Sequence, residues 1–325
     1  MLTQVSLQHF KCFEQLRLPL APLTLLSGLN AAGKSTVLQA FTLLQQTATE
    51  GEWNTTLMLN GSSIALGTAS DVIDELSGRD TFGIGVSGDM FDCFWIMKTD
   101  TRKELALPIQ TIVWKEADTW QPIVTDVTSA QQRLYRLVPE TIWQASEHAQ
   151  RLASMLLQLT YISADRIGPR ETYIVTTPDQ QANVGPRGEF TAWFLHSFAQ
   201  YEPLPGLQFK DTPPTLQRQA EAWMDYFFPG CHFLVQPVER ANLVTLSLRT
   251  NAANAYHRPQ NVGYGLTHVL PILSACLGAR AGDVILIENP ESHLHPAGQS
   301  EMGVFLARAP PPASKLFWRH TAIMY

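Results

Sequence analysis

Gly28-Leu29-Asn30-Ala31-Ala32-Gly33-Lys34-Ser35 sets two glycines, a lysine and a hydroxyl at the spacing G-x-x-x-x-G-K-[ST], with Thr36 directly behind. Glycines let a backbone turn its NH groups inward on phosphate oxygens, and a following helix N-terminus adds partial positive charge. In such a loop Lys34 bridges β- and γ-phosphates, and the Ser35 hydroxyl holds the Mg²⁺ that neutralises charge the loop alone cannot. Gly28, Asn30, Gly33, Lys34, Ser35 and Thr36 are therefore the candidate nucleotide-binding residues, and ATP with Mg²⁺ is the ligand they fit. The plain alternative is an ordinary glycine-rich helix start. It is disfavoured because the flanking elements agree with the motif as well as the residues do.

A second group lies near the other end of the chain. Val284-Ile285-Leu286-Ile287 is a continuous apolar run, the pattern of a parallel strand buried on both faces, and it ends in Glu288-Asn289-Pro290-Glu291. A carboxylate at the C-terminal end of such a strand sits where α/β sheets bind ligands, here beside the phosphate loop. Glu288 is thus the expected Mg²⁺-side carboxylate, acting through water. His293 and His295 do not complete a metal site, because no cysteine or further histidine lies close in sequence. A structural or subunit-contact role suits them better.

The elements that must position these residues are legible around them. Leu23-Thr24-Leu25-Leu26 reads as a buried strand feeding the glycine turn, and Val37, Leu38, Phe41 and Leu44 recur at helical spacing from Lys34 to Gln46. Val5 and Leu7 alternate in a strand-like way. Residues 50–125 carry turn signals at Asn60-Gly61, Ser77-Gly78 and Ser87-Gly88 between short apolar runs, which predicts a β-rich insertion. The spacing predicts mostly helix over 129–159 and again over 216–228, with a proline-rich surface connection at 203–214. Asn261-Val262-Gly263-Tyr264-Gly265-Leu266-Thr267-His268 leads into a further apolar helix through Leu270, Ile272, Leu273 and Leu277, with Pro271 tolerable only in its first turn. Glycines just before a helix make a second anion-binding end.

The 325 residues are 45% hydrophobic with a net charge of −6, so no global basic field draws the protein onto nucleic acid or an anionic membrane. A local basic patch, and with it nucleic acid as a partner, stays open. Cys12, Cys93, Cys231 and Cys276 lack the close pairs of zinc or redox motifs and read as buried thiols. No signal-peptide pattern opens the chain and no apolar run reaches the ~18 residues of a membrane helix, so the expected compartment is the cytoplasm.

Taken together, Leu7 to Phe13 with Gly28 to Thr36, then Tyr161-Ile162-Ser163-Ala164-Asp165-Arg166-Ile167-Gly168-Pro169-Arg170, then Val262 to Gly265 with Ile287 to Pro296, resemble bacterial AAA-type ATPases with an ABC-like fold, related to the heads of SMC and RecF proteins and to the ATPase half of OLD nucleases. The resemblance implies an α/β P-loop NTPase of ABC-like type with a β-rich and helical insertion. Its parts would be residues 1–48 and 251–309 for the ATPase core, 49–250 for the insertion and 310–325 for an aberrant tail. It also implies a homodimer in which two heads sandwich ATP, with Gly263 and Gly265 of one facing the γ-phosphate held by the other, and an effector partner in DNA maintenance or phage defence. A nucleotide kinase or GTPase shares the phosphate loop, but no Asn-Lys-x-Asp motif occurs and the helix at Gly263 has no use in a kinase.

Two departures from that family stand out. Where it often places a general-base glutamate directly after the first acidic residue, this chain has Asn289, which cannot take a proton from water, and Glu291 is the nearest substitute. The family continues with a strand and a Thr-His-Ser-Asp switch, whereas this chain runs from Pro310-Pro311-Pro312 to Tyr325 without one. Three prolines followed by Lys315 and Arg319 make a poor buried strand. Reading each codon from its third base permits a strand and Thr-His-Ser-Asp over the same stretch, so an out-of-frame tail is expected, and the alternative to a working ATPase is a truncated, catalytically impaired remnant of one.

Overall fold

The computed structural model describes residues 2–74, 78–117, 121–128, 132–176, 183–251 and 253–309, together with the backbone of 315–321. Contacts divide the chain into two compact units, one formed by 1–21 and 28–159, the other by 22–27 and 160–325.

The second unit carries the parallel sheet. Its strands are β3 (Leu23–Gly28), β11 (Thr160–Ile162), β15 (Val284–Glu288) and β16 (Lys315–Thr321), in the order β11-β15-β16-β3. β15 runs parallel to both neighbours, with Ile162 opposite Ile287 and Glu288 opposite Arg319. All five residues of β15 are buried, as a strand covered on both faces requires. Each of its four aliphatic side chains contributes roughly 1.5–3 kcal/mol by leaving water. Around this sheet stand α5 (Thr191–Ser197), α6 (Leu216–Phe227), α7 (Tyr264–Gly278) and α8 (Pro296–Arg308), with a smaller antiparallel sheet ordered β12 (Thr172–Ile174), β14 (Leu243–Arg249), β13 (His232–Pro237). Trp223 of α6 meets Phe305 of α8 edge to face at 4.7 Å, a geometry that aromatic rings favour.

The first unit holds an antiparallel sheet of β1 (Leu2–Phe10), β2 (Phe13–Pro19), β4 (Thr56–Met58), β5 (Thr81–Gly88), β6 (Phe91–Lys98), β7 (Ala106–Glu116) and β8 (Ile123–Asp126). The order is β2-β1-β5-β6-β7-β4, with β8 also on β7. In β6 the alternation is regular, Phe91, Cys93, Trp95 and Met97 buried and the residues between them half-buried. Two short strands, β9 (Leu134–Tyr135) and β10 (Val138–Pro139), form a hairpin, and Trp95 Nε1 donates to Leu137 O at 2.8 Å. The helices are α1 (Lys34–Glu50), α2 (Ala69–Val72), α3 (Glu140–Ala145) and α4 (Glu147–Gln158), and α1 packs against α4.

The structure bears on four expectations. First, the strands over residues 50–125 extend the N-terminal sheet, with β5 paired to β1, and the compact units divide at 159/160. Second, residues 315–321 do form the next strand, between β15 and β3. The run Leu316-Phe317-Trp318 favours strand, and the strand starts after the prolines instead of containing them. Pro310 to Ser314 and Ala322 to Tyr325 lie outside the described residues, as does Ser77 of the Ser77-Gly78 turn. Third, Pro271 sits in the middle of α7, well past its first turn. The helix loses the bond to Thr267 O, yet every residue from Leu266 to Leu277 is buried, and that packing outweighs a loss of about 3 kcal/mol. Fourth, Cys12 is exposed, while the other three thiols are buried.

Candidate functional site

The phosphate loop lies between β3 and α1. Gly28 (φ 151°), Ala31 (φ 62°) and Gly33 (φ 81°) all carry positive φ, the conformation that turns successive backbone groups to one side. Lys34 is buried, and its ammonium donates to Gly28 O at 2.6 Å and to Leu29 O at 2.5 Å. Among the described residues no carboxylate forms an ion pair with it. α1 begins without a side-chain cap and without an acidic residue in its first turn, so its positive end is uncompensated. A buried cation held by carbonyls, at an uncapped helix start, suits an anion of high charge. Thr36 is buried and donates its backbone NH to Gly33 O at 3.0 Å, Ser35 is half-buried, and Asn30 is exposed.

The turn between β1 and β2 sits over this loop. A Cβ at Gly33 would lie 2.6 Å from Phe13 Cζ and 2.7 Å from Cys12 Sγ, at a φ that L side chains rarely adopt. We therefore expect Gly33→Ala to cost roughly 1–3 kcal/mol of stability and to weaken nucleotide binding. Thermal unfolding and titration check this, and a variant unchanged in both would show that the turn yields freely. Lys11, in the same turn at φ 53°, donates to Gln39 Oε1 at 2.9 Å, and burial pushes its pKa down. The sequence gives no sign of this contact, because no motif marks it.

In the other unit, β15 delivers Glu288 into a tight turn. Asn289 adopts φ 44°, a left-handed conformation that asparagine tolerates better than most side chains, and Ser292 N donates to Asn289 O at 3.1 Å. Glu288 and Glu291 are both buried. Between them reaches Arg166, 3% exposed, donating through Nη1 to Ser163 O (3.0 Å) and Glu288 O (2.8 Å) and through Nη2 to Asn289 O (2.8 Å). Burial pushes its pKa down to about 10, opposed by Glu291 and then Glu288, so it stays charged at neutral pH. Arg166 falls within the segment from Tyr161 to Arg170, but the sequence alone assigns it no role.

The N-terminus of α7 abuts this turn. A Cβ at Gly265 would stand 2.9 Å from His293 O, and the His268 and His293 rings lie 4.4 Å apart. His268 is buried, and burial, Arg166 and His293 hold its pKa at about 4, so it is neutral at pH 7. Gly263 is the N-cap, and a Cβ there would meet only Leu266 Cδ1 at 3.6 Å. Gly28 to Thr36 thus form one loop, and Glu288, Glu291 and Gly265 gather at a second centre. Ser35 and Glu288 belong to different compact units. Among the described residues no group of three or more metal-ligating side chains occurs, and no helix is long and apolar enough to cross a membrane.

A parallel sheet feeding a G-x-x-x-x-G-K-S loop, with an acidic strand end two strands away, defines a nucleotide-binding P-loop ATPase. Residues 1–93 match the family of AAA ATPase domains, and residues 167–317 match the family described as "AAA domain, putative AbiEii toxin, Type IV TA system". Among solved structures, the SmcHead bound to the C-winged helix domain of ScpA is similar over 99% of this chain and 89% of its own, at 12% identity and a TM-score of 0.51. The SMC head domain from Thermotoga maritima aligns over 98% of this chain and 89% of its own at 8% identity, with a TM-score of 0.41. No curated protein sequence matches. Two stretches of the chain thus match AAA-type ATPase domains, and its fold is similar to that of an SMC head.

Proposed function

We propose that the protein binds ATP with Mg²⁺ and couples binding and hydrolysis to the pairing of two identical heads, which in turn drive an effector protein. The observation that carries this reading is Lys34, a buried cation held by its own loop carbonyls beneath an uncapped helix start. Lys34 and the loop NH groups would hold the β- and γ-phosphates, with Ser35 on the Mg²⁺ side. When bound, the ion neutralises phosphate charge and orients the nucleotide. Glu288 would face the ion through water, and Glu291 is the candidate base, since Asn289 cannot accept a proton from water. Membership of β3, which runs into the loop, and of β15, which ends in Glu288, in a single sheet supports assigning both to one reaction. DNA maintenance or phage defence, with nucleic acid as a further partner, rests on resemblance.

Pairing would place Gly263 and Gly265 of α7 against a partner's nucleotide. Gly265→Arg is a poor probe, because any Cβ there strikes His293 O within the same chain. Gly263→Arg is clean, since its Cβ meets only ordinary contact. With a slowly hydrolysed ATP analogue, light scattering should show dimers of the wild-type protein and monomers of Gly263→Arg, at nucleotide affinities within about threefold, because a charged side chain in a closed interface costs several kcal/mol. Wild-type monomers at saturating analogue would sink the sandwich.

A further inference from the structure

Arg166 is a buried charged group with three hydrogen bonds to backbone carbonyls and no role assigned so far. We infer that Arg166 is the positioning residue of the acidic turn: its guanidinium clamps the backbone of Glu288 and Asn289 to the end of β11 and thereby fixes where the Glu288 and Glu291 carboxylates stand. The functional half of this inference rests on the ATPase reading above. The structural half rests on geometry alone.

β11 and β15 are parallel neighbours in register up to Ile162 and Ile287, after which the ladder stops. Beyond it the two chains are joined by Arg166, whose planar fork bonds one carbonyl on its own side and two successive carbonyls on the other. Carbonyls at a buried strand end need donors, and a charged donor gives bonds about twice as strong as neutral ones. The turn needs such a hold, because Asn289 (φ 44°) and His293 (φ 65°) both stand in left-handed conformations, which cost energy for any L side chain even where asparagine bears them best. Arg166 does not reach out to a ligand through these atoms, since Nη1 and Nη2 are both engaged with backbone. It acts through the turn. Its charge also lies within electrostatic reach of Glu291 and Glu288, so one group sets both position and field.

Arg166→Lys is the informative substitution, because it keeps the cation and loses the fork that spans Glu288 O and Asn289 O. In the full chain we expect the amides of Ser292 and Leu294, which bond to Asn289 O and Glu291 O, to exchange hydrogen at least ~10-fold faster in Arg166→Lys, with turnover lowered by roughly 10- to 100-fold and Mg-ATP affinity within about threefold of wild type. Unchanged exchange overturns the inference. So does a variant whose turnover, affinity and melting temperature fall together, because that pattern marks a general structural role. A wild-type protein that binds no ATP removes the ATPase reading, and the exchange comparison then decides the positioning role alone. Should Arg166→Lys fail to fold, the wild type still provides a test: the Ser292 amide should exchange at least ~10-fold more slowly than that of Asp283, which closes a similar turn onto Arg280 O, and equal rates would refute the clamp.

Discussion

Replacing Lys34 by alanine should weaken Mg-ATP binding by at least ~100-fold, the largest effect on affinity expected from any single residue of the loop. Loss of one partner of a buried, hydrogen-bonded charge pair costs about 2–5 kcal/mol, and ~100-fold corresponds to about 2.7 kcal/mol. No other side chain of Gly28 to Thr36 is a cation, so nothing in the loop replaces it. The apo protein keeps its fold in this variant, because the Lys34 bonds are to two carbonyls of a loop that is itself half-exposed to water. Isothermal titration gives the affinity directly. Thermal unfolding gives an independent check: at ligand one hundred times the wild-type Kd, binding stabilises the wild type by about 2.7 kcal/mol and the variant by only ~0.4 kcal/mol. Equal affinities in the two proteins would remove the phosphate loop from nucleotide binding altogether.

The phosphate loop was legible because its chemistry is local: strand, glycines, lysine and helix follow one another in an unbroken stretch of chain, and short-range sterics decide them. The same holds for β15, where an unbroken apolar run admits few other readings. What escaped was set by distant partners. Strand β5 looks like part of an inserted piece until β1, far earlier in the chain, is seen to pair with it. Pro271 breaks a helix by local rules, and only burial on every side of α7 reverses that expectation. Residues 315–321 read as a poor strand from the prolines before them and the charges within, yet a place between β15 and β3 supplies two sets of backbone partners that no local pattern reveals. Arg166 illustrates the same limit at the site. An arginine in sequence carries no sign of which carbonyls it will meet, and its partners at Glu288 and Asn289 lie 122 and 123 residues away. Asn289 is the opposite case. Its type looked like a lost base, and the left-handed turn gives asparagine a local reason to be there.

Glu288→Gln should leave Mg-ATP affinity within about threefold and lower turnover by roughly 100- to 1,000-fold, the scale on which a preorganised charged group acts in a water-poor site. Glutamine has the same shape, so the buried end of β15 keeps its packing and Arg166 keeps its bond to the backbone carbonyl of residue 288, which the substitution does not touch. What changes is the charge. A neutral amide cannot balance a divalent ion through water, and it cannot accept a proton. Binding without turnover should then allow paired heads to accumulate on ATP itself, where the wild type needs a slowly hydrolysed analogue. Glu291→Gln separates the two carboxylates: as the base it lowers turnover to a similar extent, and as a structural partner of Arg166 it lowers the melting temperature while turnover per folded molecule holds. Single-turnover hydrolysis and light scattering on the same samples measure all of this. Wild-type turnover in Glu288→Gln would take that carboxylate out of the reaction and leave β15 as scaffold only.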